Sequence, residues 1–120
     1  MNVIDWGRVE YEPEVKSWIG SLDRHDRGIA RFYIRLLAEQ GVLLGEPYTR
    51  QLHGKLRELR FNLKREAIRI SYWIAPGRRI ILLTVFRKQR MRERAEVARA
   101  RRAMERCIRD GHTLEEGHQR

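Results

Sequence analysis

Between Leu56 and Lys88 the chain reads LRELRFNLKREAIRISYWIAPGRRIILLTVFRK, and this stretch narrows the possible folds more than any other. Its first two apolar runs alternate with a period of two. Leu59, Phe61 and Leu63 share one face, and Glu58, Arg60 and Asn62 share the other. Ile68, Ile70, Tyr72 and Ile74 then stand opposite Arg69, Ser71 and Trp73. The third run, Arg79 to Phe86, is apolar on both faces, which suits a central strand. The segment Ala75-Pro76-Gly77-Arg78 fits a type II turn, with glycine where a positive φ is required. Three strands are therefore expected. One sheet face packs on helices, and the other is expected to be open, carrying Arg60, Arg69, Ser71 and Trp73.

The residues before this stretch supply the helices. Residues 3 to 11 read as a first strand weakened at Gly7. Pro13 follows at a first helical turn, among acids that favour the positive end of the helix dipole. Val15, Trp18, Ile19 and Leu22 then recur at helical spacing. A turn with Asp26 as the expected N-cap leads into the clearest helical period, Ile29, Phe32, Tyr33, Leu36 and Leu37, stopped by Gly41. The pair reads as a helical hairpin facing the sheet. Residues 41 to 55 read as a loop. From Gln89 to Ile108 the sequence is helical and basic, with a narrow stripe of Val97, Ala100, Met104, Cys107 and Ile108. The chain of 120 residues reads as one domain over 1–109 and a polar, flexible tail over 110–120.

Charge is unevenly spread. Residues 1–49 carry 6 Lys+Arg and 8 Asp+Glu, residues 50–109 carry 19 and 5, and residues 110–120 carry 1 and 3. The balances of −2, +14 and −2 sum to the net +10. Such a concentration of cations favours phosphates or acidic protein segments as partners. The start of the chain shows no signal peptide, and the longest apolar run, Ile80 to Phe86, is too short for a membrane helix. A cytoplasmic location is expected. The four histidines fall at no ligand spacing and Cys107 is the one cysteine, so neither a metal nor another cofactor is expected.

A cationic face with an aromatic suits RNA. Arg60 and Arg69 are placed to clamp phosphates and Trp73 to stack a base. The reaction such a face suits is RNA cleavage, in which a ribose 2′-OH attacks the adjacent phosphate and arginines stabilise the added charge. Each residue also has a plain structural reading. Arg60 and Arg69 can pair with Glu58 or Glu66, Trp73 can pack beneath the C-terminal helix, and His53 can be an exposed loop histidine. Cys107 reads as a small buried hydrophobe.

Four segments together resemble the RelE/ParE superfamily of bacterial toxins, nearest its phage-derived HigB-like subgroup. They are GEPYTRQLHGKLRELRF (45–61), IRISYWI (68–74), RIILLTVFRK (79–88) and RERAEVARARRAME (92–105). The resemblance implies an α+β fold: a small, twisted, mostly antiparallel sheet packed against an N-terminal helical hairpin, with a basic C-terminal helix. It implies a type II toxin that cuts messenger RNA on the ribosome. The implied partner is a cognate antitoxin with an acidic segment and a helix-turn-helix, and the complex would bind operator DNA.

On the matched positions, Arg69 corresponds to the strand arginine that contacts the reacting phosphate. Lys88 or Arg87 corresponds to the basic residue after the last strand, and Arg60 to the arginine of the E-L-R segment. The catalytic candidates are thus Arg69, Arg87, Lys88 and Glu58, with Arg60, Lys55, Trp73 and Arg90 as RNA-binding candidates. The chain departs from the RelE pattern at Leu56 and Glu58, where relatives carry lysines, and at Arg94, near a family tyrosine. The proton-transfer role is then either missing or filled by Lys55, Glu58 or His53. The same fold in a ParE-like role inhibits DNA gyrase without cutting RNA, and a non-catalytic nucleic-acid-binding domain is the third reading.

Overall fold

The computed structural model describes residues 5–89 and 91–111. Arg90, residues 3–4 of the expected first strand and residues 112–120 of the expected tail lie outside the described residues. The sheet has five strands: β1 (Arg8–Tyr11), β2 (Thr49–His53), β3 (Leu56–Leu63), β4 (Glu66–Ala75) and β5 (Arg79–Arg87). Their order is β1-β5-β4-β3-β2. The strand pair β1–β5 is parallel and the other three pairs are antiparallel. The sheet is therefore mixed, and β2 corrects the reading of residues 41–55 as loop throughout. That strand is short and marked by few apolar residues, so its period was hidden beside the glycines and proline of its flanks.

Two helices, α1 (Pro13–Ser21) and α2 (Arg24–Gln40), cover one sheet face. Pro13 opens α1, where its missing N–H costs nothing. Asp23, not Asp26, caps α2: its carboxylate accepts the Asp26 N–H at 2.8 Å. Asp26 instead sits in the first turn, buried, with its carboxylate 3.1 Å from Lys64 Nζ. Val15, Ile19, Ala30, Ile34 and Leu37 meet Leu59, Phe61, Leu63, Ile68, Ile70 and Tyr72 in the main core. Gly41 ends α2 at φ 51°, and a Cβ there would lie 2.1 Å from the Trp6 ring. Glycine is thus required both by conformation and by the indole packed against it.

The third helix, α3 (Glu93–Asp110), lies across the other face. Ala100, Ala103 and Cys107 pack on Leu56, Trp73, Ala75, Ile81 and Leu83 as a second core. This corrects the expectation of an open second face. The small residues of the stripe let the helix approach closely, and the alternation in β4 and β5 had already supplied apolar partners for it. Burial pushes the Cys107 thiol above its ordinary pKa, as suits a packing residue.

Candidate nucleic-acid interface

The cationic cluster lies on the α3 side of the sheet, towards the N-terminal end of that helix. It is made by register. Arg60 of β3 stands directly opposite Arg69 of β4, and Glu58 stands opposite Ser71. Like charges paired across strands repel. Glu58 offsets this: its Oε2 lies 3.6 Å from Arg60 Nε and 3.6 Å from Arg69 Nε. Glu58 is 1% exposed and Arg69 6% exposed, while Arg60 is half-buried. On β2, the exposed Arg50 pairs in register with Glu58.

These distances suit Coulomb attraction but exceed hydrogen-bond length. Both Glu58 oxygens, Arg60 Nε and Arg69 Nε are buried without hydrogen-bond partners among the described residues. Arg69 has one satisfied donor, Nη1, to the Ile68 carbonyl at 3.0 Å. Desolvation raises the Glu58 pKa above its ordinary value, and Arg69 and Arg60 act against that rise. Desolvation likewise lowers the Arg69 pKa, with Arg60 adding to the effect and Glu58 opposing it. Two cations and one carboxylate are thus held in a poorly solvated place with donor capacity left over. An anion with several acceptor oxygens would meet that capacity.

The remaining candidates are dispersed. Trp73 is 7% exposed inside the second core, so its ring offers no face to a base. The expectation of a stacking platform there is corrected, since α3 occupies the space. Arg87 is exposed and pairs with Glu66 at 3.3 Å. It lines a cavity with Trp18, Asp23 and Lys64 on the α1–α2 side, the face opposite Arg69. Arg87 and Arg69 therefore do not converge, which corrects their expected joint role. Lys88 follows the end of β5 and is exposed, and its backbone N–H donates to the Ala67 carbonyl at 2.8 Å, two residues before Arg69 in β4. Lys55 is exposed in the turn between β2 and β3, at the strand end farther from Arg60. Arg50 was missed by sequence reasoning, because its strand went unrecognised.

The mixed sheet between a helix pair and a third helix defines a RelE-like class of fold. A mutant of the E. coli toxin RelE in the free state matches it with a TM-score of 0.56 at 14% identity, covering 83% of this chain and 96% of that one. Residues 17–107 match the family described as Phage derived protein Gp49-like (DUF891), and the chain belongs to that family. No curated protein matches the chain.

Proposed function

We propose that this protein is the toxin of a type II toxin–antitoxin module and cuts messenger RNA on the ribosome, in the cytoplasm. The observation that carries this reading is the buried Glu58–Arg60–Arg69 cluster with its unsatisfied donors. The RelE-like fold and the Gp49-like family support it.

In the proposed reaction the scissile phosphate enters beside Arg60 and Arg69. The 2′-oxygen forms its bond to phosphorus, the bond to the 5′-oxygen breaks, and Arg60 and Arg69 stabilise the non-bridging oxygens. Glu58 accepts the 2′-OH proton, a role helped by its raised pKa. Lys88 supplies a proton to the leaving 5′-oxygen. The antitoxin would bind through an acidic segment, and the toxin–antitoxin complex would bind operator DNA.

The test is a cleavage map. Purified protein is added to translating ribosomes carrying labelled message, with free message as control. Cuts confined to ribosome-bound message support the reading. An intact message beside a folded, growth-inhibiting protein overturns it. The alternative reading is a ParE-like gyrase inhibitor that cuts no RNA.

A further inference from the structure

A cavity of about 610 Å³ lies on the α1–α2 side of the sheet, between the two helices and the end of β1. All three elements supply its wall: Tyr11 from β1, Lys16, Ile19 and Gly20 from α1, and Arg27 and Arg31 from α2. Lys16 and Gly20 stand one helical turn apart, as do Arg27 and Arg31, so each helix lines the space with one face. The volume is that of a small-ligand pocket. None of these residues belongs to the cationic cluster, which lies on the other side of the sheet.

The three cations divide by role. The Arg27 guanidinium donates to the carbonyls of Ile19 at 3.3 Å, Gly20 at 3.2 Å and Leu22 at 2.8 Å. It thus ties α2 to the end of α1 and fixes that wall. Lys16 and Arg31 are exposed, and among the described residues neither makes an ion pair. Glu10, the one acid in the lining, is 4% exposed and its carboxylate is held by Arg79 at 2.9 Å.

The rest of the wall is aromatic and apolar. Tyr11 is 40% exposed and, among the described residues, stacks on no other ring. Burial raises its phenol pKa above the ordinary value, and the Arg31 guanidinium acts against that rise, so the hydroxyl stays a donor beside a cation. Gly20 has nothing within 4 Å of where a Cβ would stand. Glycine within a helix is costly relative to alanine, and here it leaves the cavity floor open.

We propose that this cavity binds a nucleoside phosphate, with the phosphate held by Lys16 and Arg31 and the base lying on the Tyr11 ring over Ile19 and Gly20. An isolated phosphate leaves the aromatic and apolar wall unused, and an uncharged ring leaves the two cations unused. The volume suits a single nucleotide. The inference is independent of the toxin reading, since it concerns the opposite face and needs no RNA cleavage.

The experiment is a calorimetric and nuclear magnetic resonance titration of the whole chain with adenosine monophosphate. Adenosine and inorganic phosphate are the comparisons. The nucleotide is expected to shift the Tyr11 ring and the Lys16 and Gly20 amide resonances, and to bind roughly tenfold or more tighter than either comparison. Arg31→Gln, at an exposed position, and Gly20→Leu, which fills the open floor, should keep the circular dichroism spectrum. Each should weaken nucleotide binding roughly tenfold or more. Shifts confined to the Arg60 and Arg69 region, adenosine or phosphate binding as tightly as the nucleotide, or unchanged affinity in either variant overturns the proposal. The titration contains neither ribosome nor message, so its outcome is separate from that of the cleavage map.

Discussion

The guanidinium Nε of Arg69 lies 3.6 Å from Oε2 of Glu58, and both side chains are buried. Removing Arg69 leaves the carboxylate with Arg60 as its nearest cation. Arg69→Ala is therefore expected to destabilise the fold by about 3–5 kcal/mol in a denaturant titration. Adding Glu58→Gln should restore much of that loss, and a double-mutant cycle reads the coupling directly. In the ribosomal assay, Arg69→Ala should slow cutting by roughly 10²–10³-fold. A folded variant that cuts at the wild-type rate would remove Arg69 from the site.

The pH dependence follows from Glu58 with a definite sign. Its folded pKa is raised above the ordinary 4.5, so the folded state holds the proton more tightly than the unfolded chain does. The stabilisation is fully present below 4.5 and is lost as pH rises through the folded value. Glu58→Gln mimics the protonated form. Its gain in melting temperature over wild type should be larger at pH 7 than at pH 4, while cutting is lost. An equal gain at both pH values would show that Glu58 does not titrate as its burial requires.

The three strands within Leu56–Lys88 and their faces were legible because the alternation there leaves one consistent register, whereas β2, short and poor in apolar residues, was not. The first two helices were legible from a helical period, with Pro13 as a start and Gly41 as a stop. Three further things were not. The period of β4 shows that Arg69 and Trp73 share a face, but not that α3 covers Trp73 and stops short of Arg60. That depends on where a helix separated in sequence comes to rest. The resemblance also treated Arg87 and Lys88 as interchangeable, whereas Arg87 belongs to β5 and Lys88 follows it. The Asp23 cap was hidden because Asp23 and Asp26 both suit a helix start, and only the turn geometry, in which Asp23 accepts the Asp26 N–H, chooses between them.

Trp73 tests the corrected second face. It packs with Leu56, Ile81, Ala100 and Cys107. Trp73→Ala is expected to cost about 3–5 kcal/mol of stability through the cavity it leaves. Trp73→Phe, which keeps most of the packing, should bind single-stranded RNA as wild type does. A large loss of RNA affinity in a stable Trp73→Phe protein would return the indole to the interface.

Lys88 and Arg87 divide the last expectation between them. Arg87 is exposed, pairs with the exposed Glu66 at 3.3 Å, and lies on the α1–α2 side. An exposed ion pair contributes about 0–1 kcal/mol, so Arg87→Ala should change stability little and leave cutting at the wild-type rate. Lys88 directly follows β5, and its backbone is tied to Ala67, two residues before Arg69 in β4. Lys88→Ala should therefore slow ribosomal cutting, by roughly 10²–10⁴-fold if the ammonium gives a proton to the leaving oxygen. The reverse pattern, with Arg87→Ala inactive and Lys88→Ala normal, would place the reacting phosphate on the helix-pair side of the sheet.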